Sequence, residues 1–221
     1  MKIRGIFFTA FIAFSLHGVN AQIVTAEDYL KQVSNKYAGF SDFEAKIRIR
    51  NGSEDMYGTL SHRAPAFLKI EFTSPADQMI IFTGDRLTVY LPGYRAILNQ
   101  SVSGGGAGLA TSGGLTIMRR NFAPSYITGP EPTALEDSGE KVVKLRLTRR
   151  LGSEGFRELI LAINPSTLLI RRITATTVGG GVITFDFTDI KTNIGMPETR
   201  FIYDSPGNAN VYNNFLYRDT E

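Results

Sequence analysis

Side chains able to do covalent or metal chemistry are scarce in this sequence. Past residue 21 there is one histidine, His62, and the chain has no cysteine. A nucleophilic serine commonly needs a histidine base, and no Gly-x-Ser-x-Gly elbow occurs. A zinc centre needs several nitrogen or sulfur ligands, and the sequence does not offer them. His62 stands beside a turn and reads as a surface residue. Asp186 and Asp189 lie three apart on an expected strand, so they point to opposite faces unless a bulge intervenes. Glu54-Asp55 and Glu136-Asp137 fall in or near turns, where solvated carboxylates are ordinary. Gly104 to Gly106 lacks the Lys-Ser/Thr that completes a phosphate-binding loop, and Gly179 to Gly181 joins two strands. The expectation is a protein without catalytic residues, cofactor or metal.

Charge points the same way. Lys2 and Arg4, followed by the apolar run from Ile6 to Leu16 and by Val19-Asn20-Ala21, have the form of a secretory signal cleaved after Ala21. The run falls short of the roughly 20 apolar residues of a membrane span. The remainder, residues 22–221, is expected to be a single domain. Losing Lys2 and Arg4 from 24 basic residues leaves 22 against 21 acidic ones. Such a balance gives no electrostatic reason to expect nucleic acid. Export permits disulfides, and a chain without cysteine must be held by sheet and packing alone.

The elements follow from periodicity. Thr25 is a good N-cap, with Asp28 placed to reach back to it. Tyr29, Leu30, Val33 and Tyr37 then fall on one helical face, and Gly39 stops the helix. From Phe43 the period drops to two: Phe43, Ala45, Ile47 and Ile49 alternate with Glu44, Lys46, Arg48 and Arg50, a half-buried strand. Asn51-Gly52 is a hairpin turn. Met56, Gly58 and Leu60 come back; Leu68, Ile70 and Phe72 face inward next; then 79–83, Leu87-Val89-Leu91 and 95–99, each after a short turn. This is an antiparallel meander. Residues 101–114 (SVSGGGAGLATSGG) have no period, and 115–122 read as a short helix with Leu115, Met118 and Phe122 on one face. Strands resume at Val143-Leu145-Leu147, Leu159-Leu161-Ile163, 168–176, Ile183-Phe185-Phe187 and, last, 199–203. The total is about ten strands and one or two helices: a mainly β (α+β) fold.

That inventory leaves more apolar strand surface than the helices can cover. A half-buried sheet must hide its apolar face. Either the strands make a filled sandwich or barrel, or they curl around a cavity that takes an apolar ligand.

Residues 57–98 carry a family resemblance. Gly58-Thr59-Leu60 leads into Arg63-Ala64-Pro65, followed by the strand Phe67-Leu68-Lys69-Ile70-Glu71-Phe72, then Ser74-Pro75, Asp77-Gln78-Met79-Ile80-Ile81, and Thr83-Gly84-Asp85 running to Val89-Tyr90-Leu91-Pro92. The opening helix into Phe40-Ser41-Asp42-Phe43 and the closing Phe201-Ile202-Tyr203-Asp204-Ser205-Pro206-Gly207 fit as well. In this order the segments resemble the LolA-like carriers of lipoproteins. Ala64 between Arg63 and Pro65, the Gly84-Asp85 order and Ile70 in place of an aromatic depart from the pattern.

The resemblance implies an incomplete antiparallel β-barrel whose apolar cavity is covered by the N-terminal helix and a short lid helix. It implies a periplasmic carrier that takes acylated lipoproteins from an inner-membrane ABC-type lipoprotein-releasing complex towards a possible outer-membrane acceptor, acting as a monomer. The implied lining is Phe43, Ile47, Ile49, Leu60, Leu68, Ile70, Phe72, Val89 and Leu91, with Leu30 and Val33 of the first helix and Leu115 and Met118 of the lid. Arg63 matches the family arginine that ties the closed lid by hydrogen bonds to the segment 115–122.

Overall fold

The computed structural model describes residues 24–102, 110–150 and 155–215. The expected signal segment and most of the glycine-rich stretch lie outside them. Helix α1 (Ala26–Ala38) begins where Thr25 accepts the Asp28 backbone N–H at 3.1 Å, and the Thr25 hydroxyl donates to the Asp28 carboxylate at 2.7 Å. This is a cap with Asp in the place usually held by Glu.

The meander follows as β1 (Asp42–Asn51), β2 (Glu54–Arg63), β3 (Phe67–Ser74), β4 (Met79–Phe82), β5 (Arg86–Leu91) and β6 (Ala96–Ser101). Helix α2 (Ser112–Asn121) comes next, then β7 (Phe122–Tyr126), the two-residue β8 (Thr133–Ala134), β9 (Lys141–Arg149), β10 (Phe156–Ile163), β11 (Ile170–Thr177), β12 (Val182–Thr192) and β13 (Asn210–Asn213). Phe122, expected on the second helix, opens β7 instead. The expected last strand over 199–203 is also corrected. Glu198–Phe201 is a turn of 3-10 helix, begun by the fixed φ of Pro197, and it pairs with no strand.

The strands form one sheet in the order β13-β6-β5-β4-β3-β2-β1-β12-β11-β10-β9-β7, with β8 beside β9. Two meanders are thus joined where β1 meets β12, for example Ile47 opposite Phe187 and Ile49 opposite Phe185. All pairings are antiparallel except β13 with β6. The ends, β13 and β7, do not meet, so the sheet is an incomplete barrel. Both helices lie over one face, with α1 against α2 and β7.

Gly58 shows how tightly the meander closes. It sits on β2 opposite Ile47 and Phe72, at a bulge between β2 and β3. A Cβ there would lie 2.4 Å from the Glu71 carbonyl oxygen and 3.0 Å from the Phe72 Cα. Backbone cannot rotate away as a side chain can, so Gly58→Ala should cost about 2 kcal/mol or more, read as a lowered midpoint in urea unfolding with an unchanged slope.

Candidate functional site

Strand alternation builds the site. Reading cross-strand partners outward from β2, Leu60 faces Ala45 and Ile70, and His62 faces Phe43 and Leu68. The row continues from Leu68 through Phe82 and Leu87 to Gln100, and the next from Ile70 through Ile80 and Val89 to Leu98. In the other direction Ile49 leads through Phe185, Ile173 and Leu161 to Leu145. All of these side chains share one concave face.

The structure brings the expected lining together. Leu30, Val33, Phe43, Ile47, Ile49, Leu60, Leu68, Ile70, Phe72, Leu115 and Met118 are buried in one cluster. Val89 and Leu91 stand on the same face and are half-buried. The same buried cluster continues to the far end of the sheet, where Leu145, Leu147, Leu161, Ile163, Ile170 and Ile173 are fully covered. Their alternation was visible in the sequence, but the expected lining was confined to the first meander and the two helices.

Cover on this face is uneven. Over β9 to β11 it is complete. Over β4 to β6, Ile80, Leu87, Val89, Leu91 and Leu98 remain half-buried. Polar contacts tie both helices, and at the end of α2 the Asn121 carbonyl accepts the Arg150 backbone N–H at 2.9 Å. The Tyr126 hydroxyl donates to the Val24 carbonyl at 2.9 Å, just before α1, and Tyr37 at its other end accepts the Ile170 backbone N–H at 3.0 Å. Helix α2 buries Leu115 and Met118, and its Arg119 reaches Glu27 of α1 at 3.8 Å, a distance and exposure at which an ion pair contributes little.

Two expectations are corrected by side-chain direction. His62 is a core residue, 4% exposed. Its ring stacks on Phe43 with centroids 5.1 Å apart, beside Tyr37 and Phe40. Its Nδ1 is buried without a hydrogen-bond partner. Burial pushes the imidazole pKa down to about 4, against a smaller opposing pull from Asp42. Arg63, expected at α2, meets the segment after β12 instead. As the next residue on the strand it points to the convex side. There it donates to the Met196 carbonyl and, at 3.3 Å, to the Glu198 carboxylate. The segment after β12 is what it holds.

That segment is fastened on the convex side by Asp42. Its buried carboxylate accepts the backbone N–H groups of Ile194, Gly195 and Met196 at 2.8, 3.2 and 3.3 Å. Burial alone would raise its pKa; these bonds and the Ser41 hydroxyl outweigh that and hold it below the usual carboxylate range. Phe201 and Tyr203 then pack on Phe67 and Tyr90. Farther along the convex face lies a cleft of about 540 Å3 lined by Lys46, Arg48, Arg171, Arg172 and the loop 135–140. Asp186 lies there, paired with Arg50 and Arg172. A bulge in β12 opposite Glu44 and Lys46 interrupts the alternation between it and Asp189.

Solved structures share this architecture. An uncharacterized conserved protein from Thermus thermophilus matches over 85% of this chain and 98% of its own, with 16% identity and a TM-score of 0.57. The Mycobacterium tuberculosis lipoprotein LppX matches over 78% and 97%, with 15% identity and a TM-score of 0.51. A LolA superfamily protein from Nitrosomonas europaea, at 16% identity over 81% and 98%, superposes more loosely, with a TM-score of 0.42. No protein-family model matches the sequence, and neither does any curated protein. The chain shares the fold of the Thermus protein and of LppX. Among the described residues no helix is long and apolar enough to cross a membrane.

Two outcomes follow from the corrected residues. A histidine whose folded pKa lies below its unfolded value stabilises fully above pH 6.5 and loses that contribution as pH falls towards the folded value. For His62 the loss between pH 7 and 5 should be about 2 kcal/mol, and the melting temperature of a His62→Gln variant should fall less over that interval than the wild type's. Arg63→Leu should speed hydrogen exchange in 193–201 and leave 112–121 unchanged; the opposite pattern would restore the latch.

Proposed function

We propose that the protein is an exported lipid-binding carrier, and more specifically one that holds the acyl chains of lipoproteins on its concave face during transfer across the periplasm. The observation that supports this is the continuous apolar face that the helices cover completely at one end and only partly over β4 to β6. An acyl chain laid on that surface gains ~0.8 kcal/mol for each methylene removed from water, and needs no polar partner along its length. On this reading no side chain does covalent chemistry, no cofactor takes part, and the protein works as a monomer.

Helix α2 is the element we assign as the lid. Cargo and α2 compete for the same apolar face, so loading shifts α2 away without any input beyond the cargo's own burial. The donor on this reading is an inner-membrane ABC-type complex and the acceptor lies at the outer membrane. Arg63 has no part in it.

Purification from an exporting host, followed by organic extraction and mass spectrometry, should recover lipid in stoichiometric amount. A filled-core interaction protein retains none. With lipid removed, the double variant Val89→Asn, Leu91→Asn should bind an apolar fluorescent dye at least fivefold more weakly. Because both positions are half-buried, the melting temperature should move by only about 2–4 °C. Leu145→Asn, under the helices, should instead unfold the protein.

A further inference from the structure

On this largely apolar face His62 is a buried side chain with an unpaired ring nitrogen. His62 lies in the row Phe43-His62-Leu68-Phe82-Leu87-Gln100. It is 96% removed from solvent. Its Nδ1 meets no hydrogen-bond partner, whereas Gln100 at the end of the row donates to the Ser101 carbonyl at 3.0 Å. A buried polar atom left unpaired is costly and rare. From His62 to half-buried Leu87 the row crosses three strand spacings, about 14 Å, with Leu68 and Phe82 buried between them.

We propose that His62 is a specificity-determining residue of this face, donating a hydrogen bond from its ring to the carbonyl oxygen of an acyl ester. This rests on the reading of the concave face as an acyl-chain site and names the linkage that the site prefers. An ester suits the surroundings better than a free fatty acid. A carboxylate carried into this row would need a cation, and the charge that acts on His62 is the anionic Asp42. A neutral imidazole presents one N–H and one lone pair, and an ester carbonyl takes the N–H without bringing charge into the apolar face. Stacking on Phe43 fixes the ring plane, so the donor is oriented before cargo arrives.

The test compares two uncharged probes of equal chain length: 1-monooleoylglycerol, which has an ester carbonyl, and its 1-O-oleyl ether, which lacks one. Affinities are read by displacement of an apolar dye from delipidated protein at pH 7.5. One such hydrogen bond corresponds to about a five- to tenfold preference. The wild type should favour the ester by that factor. His62→Leu should bind both probes alike, at the wild type's affinity for the ether, and His62→Gln, which keeps an N–H donor, should recover part of the preference. Since His62 is the one histidine past residue 21, its imidazole nitrogen resonances in wild-type protein give a second readout that needs no variant: they should shift with the ester and not with the ether. Equal wild-type affinities, a preference that persists in His62→Leu, or identical imidazole spectra with the two probes would each overturn the assignment. If the wild type binds neither probe, the acyl-chain reading itself fails and the assignment with it.

Discussion

A sheet with one apolar face must hide that face from water, and this constraint orders the whole molecule. The face runs across twelve strands in hydrogen-bonded sequence, while the described residues include two α-helices to cover it. Curvature supplies part of the answer, because a curled sheet covers some of its own concave side. The helices supply another part over β9 to β11, where Leu145, Leu161 and Ile173 are fully buried. What remains is the stretch over β4 to β6. Each large apolar side chain fully covered contributes about 1.5–3 kcal/mol, so leaving Ile80, Leu87 and Val89 half-covered forgoes several kcal/mol of stability. The sheet ends, β13 and β7, stay apart, so closure does not recover it.

The convex side has the opposite character. Asp42, Ser61 and Lys69 are buried there, and the segment that follows β12 fastens on Asp42. Asp42 collects three backbone N–H groups, Arg63 ties Met196 and Glu198, and Phe201 and Tyr203 extend the cover to Ile81 and Ile97. Charge-assisted hydrogen bonds from backbone are directional and short-ranged, so this strap sets the position of β1 against β12 and of β3 against the C-terminal segment. The strap fixes the molecule from outside, while on the inner side Tyr37 and Tyr126 tie α1 to the sheet.

Legibility in the sequence followed the range of the forces involved. The first meander was readable because each strand alternates and each turn carries its own residues, such as Asn51-Gly52. Helix α1 was readable from Thr25 and the spacing of Leu30, Val33 and Tyr37. Residues 199–203 alternate like a strand, but Phe201 is buried by Phe67 while Ile202 is exposed, and only tertiary contact shows that no partner strand is available. Strand β7 contains Pro124, which an edge tolerates and a centre does not, and β13 pairs with β6 from more than a hundred residues away. His62 was read as a surface residue from the turn after it, and Arg63 was given to the lid by the resemblance. The turn after them suggested a rim, yet the period of Met56, Gly58 and Leu60 already sent His62 inward and Arg63 outward.

On the proposed reading, the relative strength of lid and cargo decides the direction of transfer. Helix α2 brings Leu115 and Met118 to the face, about 3–6 kcal/mol of burial between them. Its ion pair to Glu27 adds little at 3.8 Å. At ~0.8 kcal/mol per methylene, four to eight methylenes of cargo match that contribution, and an ordinary acyl chain is longer. Closure of α2 therefore cannot expel a fully seated chain. It can only occupy the face once the chain has begun to leave, which prevents re-entry. Release must come from an acceptor surface more apolar than this cleft, with the half-covered stretch over β4 to β6 as the place where such an acceptor first meets the chain.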